Sequence, residues 1–215
     1  MSSMPTVTVI DYGIGNILSV SRAFEHCGAN VIVCDNAEKI EGADYLVLPG
    51  VGAFANGMSE LTKRELIEPI KKFVAGGRPF LGICLGMQMM MDESEEFGSN
   101  EGLGLIPGKV VAIPSTGTNG APHKIPHIGW NALVLPSGRE SWEGTILQDI
   151  EQGEAVYFVH SFMAVPASPD HIVSYSLYNG IRVTATIGSG NIFGCQFHPE
   201  KSGEIGLKIL RRFLA

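Results

Sequence analysis

The sequence predicts an α/β fold: an open, mixed and mostly parallel sheet flanked by helices, with antiparallel strands added in the C-terminal half. Two observations carry this prediction. Short apolar runs alternate with helix-period segments through the first ninety residues, the pattern of parallel strands with crossover helices. Beyond residue 170, three strand-like runs follow one another and are joined by Asn179-Gly180 and Gly188-Ser189-Gly190, which are hairpin signals. A length of 215 residues, 45% hydrophobic and 17% charged, supplies a full core. One domain over residues 1–215 is expected.

Thr6 to Ile10 reads as a buried first strand, ending at Asp11-Tyr12-Gly13-Ile14-Gly15-Asn16. Gly13-x-Gly15 lacks the third glycine of a dinucleotide loop, because Leu18 stands in its place, so a strand-to-helix turn with Asn16 as N-cap is the better reading. The helix should run from Ile17 to about Cys27 and stop at Gly28. Val31 to Cys34 is a second strand and Tyr45 to Leu48 a third, closed by Pro49-Gly50-Val51-Gly52-Ala53-Phe54. Glycines around Val51 let such a loop present backbone N–H groups to an anion or an oxyanion. Leu61, Leu66, Ile67, Ile70, Phe73 and Val74 recur at helical spacing, with a kink or fresh start expected at Pro69.

The next strand, from Phe80, runs into Gly82-Ile83-Cys84-Leu85-Gly86 and a helical pattern. A thiol at the tip of a strand–turn–helix is the cysteine counterpart of a nucleophile elbow, and the helix leaving it should favour thiolate. Met87, Met89, Met90 and Met91 read as adaptable core, and Gln88 lies one turn beyond Cys84 on the same face. Because Cys84, the Pro49–Ala53 loop and Gly13–Asn16 all follow strands, they should share the C-terminal edge of the sheet. From Phe97 to Trp130 the chain is rich in glycine and proline and reads as irregular, with an exposed turn at Thr116–Gly120; Pro126 to Asn131 reads as irregular too. His127 there reads as a structural or interface histidine in preference to a catalytic base, and Trp130 as either a core anchor or an exposed hot spot. Ala155–His160, Ile172–Tyr178, Ile181–Ile187 and Ile192–Phe197 read as strands, and Ile205, Ile209, Leu210 and Phe213 mark a closing helix.

A cysteine nucleophile needs a base and a group that orients the base. Of six histidines, only His198 has a carboxylate at a helpful local spacing, Glu200, with Pro199 stiffening the backbone between them. Net charge of −7 without a basic face argues against nucleic acid or an anionic membrane surface as partner. The four cysteines form no Cys-x-x-Cys pair, so neither a metal site nor a disulfide framework is expected, nor any cofactor. The N-terminal stretch from Met1 has no basic region before an apolar one, so a cytoplasmic protein without a leader is expected.

GICLGMQ at 82–88, PGVGAF at 49–54 and FHPEKS at 197–202 resemble the class I, triad-type glutamine amidotransferases. DYGIGN at 11–16, GLGLIPGKV at 102–110, PHIGWN at 126–131 and YFVHSF at 157–162 resemble the branch that serves imidazole glycerol phosphate synthesis in histidine biosynthesis. The resemblance implies a glutaminase with Cys84, His198 and Glu200 as its triad and backbone donors from Val51, Gly52 and Leu85 as its oxyanion hole. It implies glutamine held by Gly50, Gln88 and Ser161. It also implies a heterodimer in which ammonia passes to a (β/α)₈-barrel cyclase docked on Asn16, Trp130, Tyr157 and Lys201. The rival readings are a glutaminase subunit of another amidotransferase, such as pyridoxal phosphate synthase, and a non-catalytic regulatory domain of the same fold.

Overall fold

The computed structural model describes residues 4–215; Met1-Ser2-Ser3, the start of the stretch read for a leader, lies outside them. The first half alternates as the sequence predicts. Strand β1 (Thr6–Ile10) leads to helix α1 (Ile17–His26), β2 (Asn30–Cys34), a short α2 (Ala37–Glu41) and β3 (Tyr45–Gly50). Helices α3 (Phe54–Lys63) and α4 (Ile67–Ala75) follow, then β4 (Phe80–Cys84) and α5 (Leu85–Met89). The side chain of Asn16 caps α1 by accepting from the Ser19 N–H. The expected interruption near Pro69 is a fresh start: α3 stops at Lys63, Glu65 takes a positive φ, and Pro69 sits in the first turn of α4, where a missing N–H costs nothing.

The remaining strands are β5 (Glu93–Ser94), β6 (Asn100–Glu101), β7 (Gly108–Ala112), β8 (His127–Ala132), β9 (Ala155–His160), β10 (Phe162–Pro166), β11 (Ile172–Tyr178), β12 (Ile181–Ser189) and β13 (Ile192–Cys195), before α6 (Gly203–Phe213) closes the chain. The main sheet has seven strands in the order β11-β12-β13-β4-β3-β1-β2. From β2 to β13 its neighbours are parallel, and β13, β12 and β11 are joined antiparallel. Asn179 and Gly180 both take positive φ between β11 and β12, as a two-residue hairpin of this twist requires.

Both faces of the main sheet are covered, so its strands are apolar in consecutive positions rather than alternating with polar ones. Leu46, Leu48 and Phe80 point to one side, where they meet Ile40, Phe54, Leu61, Phe73 and the methionines 87 and 89–91. Val7, Val9, Val47, Leu81 and Ile83 point to the other, against Phe24 of α1 and Ile209, Leu210 and Phe213 of α6. Burying each such side chain contributes about 1.5–3 kcal/mol.

Three features depart from the sequence reading. Pro126–Asn131 is not irregular: His127–Ala132 forms β8 and pairs antiparallel with β9 in a separate two-stranded sheet. The pattern there runs against the usual strand rule, because polar His127 faces inward while Ile128 and Trp130 face out. Phe162–Pro166 also forms a strand, β10, at the edge of a four-stranded sheet with β7, β5 and β6, a position that tolerates its terminal proline. Lastly, the run from Ile192 to Phe197 ends as a strand at Cys195. Among the described residues, no helix is long and apolar enough to cross a membrane.

Candidate active site

The end of β4 places Cys84 where parallel strands converge. Register pairs Gly50 of β3 with Cys84, so the Pro49–Ala53 loop and the thiol share one sheet edge. Gly15 of the turn after β1 lies against Pro49, which brings Asn16 to the same edge. Cys84 takes φ 55° and ψ −109°, a conformation L residues avoid, and such strain is stored where the surroundings over-determine it. The surroundings here are two close approaches of backbone. A Cβ on Gly86 would collide with the Leu48 carbonyl oxygen, and one on Gly50 would strike the Tyr12 hydroxyl and crowd Leu85 and the Gly86 amide. Helix α5 is only five residues long, shorter than the sequence pattern suggests. Its dipole is correspondingly small.

His198 and Glu200 come from the turn after β13, the neighbour of β4. Pro199 opens a single 3₁₀ turn, Pro199–Lys201, that holds the two side chains side by side. His198 Nδ1 lies 2.8 Å from Glu200 Oε1, and both side chains are buried. The carboxylate accepts, so Nδ1 carries the proton. The turn is clamped to β9: the His198 N–H donates to the Tyr157 carbonyl, and Ser202 Oγ donates to the His198 carbonyl while accepting from the Tyr157 N–H. His198 Nε2 has no hydrogen-bond partner among the described residues, and His198 lines the same cavity as Cys84. Burial alone would depress the imidazole, but interactions with Cys84 and Glu200 outweigh it and raise His198 to about 9. The site therefore favours imidazolium beside sulfur at neutral pH.

The cavity has a volume of about 470 Å³, and Val51, Gly52, Leu85, Gln88 and Ser161 line it. Val51 is substantially exposed, and Gly52 takes φ +92°. Gly50 lies beneath the cavity in β3 and does not line it. Gln88 is buried and held through Nε2 by the Phe162 carbonyl at 3.1 Å and Gln196 Oε1 at 3.0 Å. Both amide protons are thus used, and Oε1 is left as an acceptor. Ser161 occupies the break between β9 and β10, and its carbonyl accepts from the Ile113 N–H.

Glu96 was not singled out by the sequence, yet its carboxylate is buried in the cavity wall. Its Oε2 accepts the Phe54 N–H at 2.6 Å, capping α3, whose own N-cap residue Ala53 offers no side-chain oxygen. An acid in this apolar rim suits the ammonium of an amino acid. The sequence around it carries no local signal of this role; the next residue, Phe97, takes a positive φ, is 90% exposed and packs edge-on with Phe162, which lines the cavity with it.

The remaining sequence candidates lie on β8, on its neighbour β9, in the turn after β1 and in the turn that carries His198. Trp130 is 58% exposed, so it is not a core anchor, and stands edge-on to Tyr157 with ring centroids 6.2 Å apart. Tyr157 is half-buried on β9, and Lys201 is exposed at the end of the turn that carries His198. The core tryptophan is Trp142, whose Nε1–H donates to the Val173 carbonyl.

Residues 8–215 match the family model "Glutamine amidotransferase class-I". The chain is 56% identical over 211 residues to the imidazole glycerol phosphate synthase subunit HisH 1 of Legionella pneumophila (strain Lens), covering 98% of this chain and 99% of that one. It is 46% identical to the HisH subunit of Geobacillus sp. (strain WCH70), covering 96% and 95%. Among solved structures, PurLQS from Thermotoga maritima superposes with a TM-score of 0.72 at 22% identity, covering 99% of this chain and 98% of that one. That likeness concerns the fold alone.

Proposed function

The chain belongs to the class I glutamine amidotransferases, and from that premise and the geometry of the cavity we propose how Cys84, His198 and Glu200 carry out its reaction. It is an enzyme of histidine biosynthesis that releases ammonia from glutamine for imidazole glycerol phosphate synthesis. The observation that carries the mechanistic reading is one cavity holding a strained cysteine, a histidine with a free Nε2 backed by a buried carboxylate, and a second carboxylate across the opening.

Glutamine enters with its α-ammonium toward Glu96 and its α-carboxylate toward the backbone at Ser161. The Cys84 thiolate attacks the carboxamide carbon. The oxyanion is stabilised by the Leu85 N–H at the start of α5 and by N–H groups of the Val51–Gly52 loop, where one donor is worth roughly 10²–10³ in rate. His198 gives its Nε2 proton to the departing nitrogen, ammonia leaves, and a thioester remains. Neutral His198 then takes a proton from water, which attacks the thioester and releases glutamate. Glu200 keeps the ring oriented throughout.

The sign of the pH dependence follows. The leaving group needs imidazolium, so kcat/KM for glutamine is expected to fall as pH rises through about 9, with a slope of one proton. Glu200→Gln removes a charge that stabilises imidazolium, so the alkaline limb should move to lower pH and kcat should fall by about 10²–10⁴. An unmoved limb would show that Glu200 does not act on the ring.

The whole chain, 1–215, is read as one amidotransferase domain, cytoplasmic and paired in a heterodimer with the cyclase subunit of the synthase, a (β/α)₈ barrel. Exposure of Trp130, Ile128 and Lys201 beside the cavity supports docking there, with Tyr157 and Asn16 at its edges. Ammonia released at Cys84 then passes to the partner before it meets bulk water. The open Val51–Gly52 loop supports a further point: its N–H groups reach the oxyanion position only when the cyclase docks. Glutamate release assayed with and without cyclase and its nucleotide substrate tests this. A stimulation of at least roughly tenfold is expected, the effect of about 1.4 kcal/mol of oxyanion stabilisation; equal rates would overturn it.

A further inference from the structure

The polar groups behind the cavity form one hydrogen-bonded chain from a surface strand to the nucleophile, and its direction is set by carbonyl acceptors. On β8, Asn131 Nδ2 donates to the Leu177 carbonyl at 2.8 Å and approaches His127 Nε2 at 3.4 Å. His127 Nδ1 lies 3.1 Å from His160 Nε2, and His160 Nδ1 lies 2.7 Å from the Phe162 carbonyl oxygen. A carbonyl only accepts, so His160 carries its proton on Nδ1. Burial holds both rings neutral, His160 at about 3 and His127 at about 4, so His160 Nε2 accepts and His127 donates from Nδ1. The same Phe162 carbonyl accepts from Gln88 Nε2, whose other proton goes to Gln196 Oε1. The Gln196 amide can then stand only one way round, with its Nε2–H toward Cys84, 3.9 Å from Sγ.

We propose that Gln196 is a hydrogen-bond donor to the nucleophile, additional to the triad, and that Gln88 and His160, which share the Phe162 carbonyl, are positioning residues that hold its orientation. This rests on the reading of Cys84 as nucleophile and extends it. Gln196 is fully buried, and the other members nearly so. A packing role alone would be filled more cheaply by apolar side chains, because each member left unsatisfied in such a network is costly. An N–H donor interacts more strongly with thiolate than with thiol and therefore favours the charged form. That role is open because α5 is too short to fill it. The far end of the chain sits on the strand whose opposite face turns Ile128 and Trp130 outward, so a partner pressing on β8 acts on the same chain.

The test reads the thiol directly. Alkylation of Cys84 by iodoacetamide in the full-length protein is followed against pH, with the modified peptide quantified by mass spectrometry. The titratable groups facing Cys84 are His198, backed by Glu200, from the turn after β13, Tyr12 from the end of β1, His160 from β9 and Glu96 across the cavity. Gln196→Met leaves all of them in place. It should displace the alkylation inflection upward by roughly half to one pH unit and lower kcat for glutamine roughly threefold to tenfold with KM little changed. His160→Phe, which loses the donor to Phe162, should move the inflection the same way. His160→Asn, whose amide N–H can still reach that carbonyl, should remain near wild type. If Gln196→Met does not fold, the two His160 variants carry the comparison. Profiles of Gln196→Met and His160→Phe that superpose on wild type would overturn the proposal. A wild-type chain without glutaminase activity even when assembled with the cyclase and its nucleotide substrate would instead overturn the functional reading while leaving the alkylation result intact.

Discussion

Replacing Cys84 by alanine is expected to lower glutamine hydrolysis by about 10⁴-fold or more while leaving the folded protein intact. The size follows from the loss of the covalent route. Without sulfur, neither the tetrahedral thiolate adduct nor the thioester can form, and the remaining donors only polarise a bound amide. The fold should tolerate the change because Cys84 lies at the tip of β4, with the cavity on one side of its side chain. Alanine still has a Cβ, so the positive φ of 55° keeps its strain and no new clash arises. Two measurements check this: glutamate release, and synthesis by the assembled synthase supplied with ammonia instead of glutamine. The second should persist, because only the ammonia source is lost. Glutamine-dependent synthesis at an undiminished rate would remove Cys84 from the mechanism and revive the reading of a non-catalytic regulatory domain.

Gly86→Ala is expected to lower stability by about 3 kcal/mol or more, or roughly 6–12 °C in Tm for a chain of this size. The added Cβ overlaps the Leu48 carbonyl oxygen, which is backbone in the middle of the main sheet and cannot rotate away. Helix α5 must therefore lift off β3, and Cys84 and the Leu85 amide move with it. Activity should fall further than stability alone explains. Gly28→Ala makes the comparison informative: Gly28 has φ +87° but open space around it, so only the backbone penalty of about 1 kcal/mol applies. A Gly86→Ala protein melting within 2 °C (approximately the assay's resolution) of wild type would mean that the elbow is not held by this close approach.

Much of this molecule was legible from the chain alone because the signals are local. Apolar runs at strand length, helix-period stretches between them, Asn16 as a cap and Asn179-Gly180 as a hairpin each depend on neighbours within a few residues. The elbow at Gly82–Gly86 and the His198-Pro199-Glu200 turn are local too, and the parallel order of β1, β3, β4 and β13 puts them on one edge. What the sequence could not reveal is polar and through-space. Strand β8 hides a histidine and exposes an isoleucine and a tryptophan, so hydrophobic periodicity misreads it until β9 is seen beside it. Glu96 becomes part of the site only because α3, 42 residues earlier, presents an uncapped N-terminus to it. The contacts of Gln88 with Phe162, of Gln88 with Gln196, and of Gln196 with Cys84 span 74, 108 and 112 residues. Burial periodicity is a property of single elements and is written along the chain. Which buried donor meets which acceptor is a property of how the elements pack, and only the folded structure decides it.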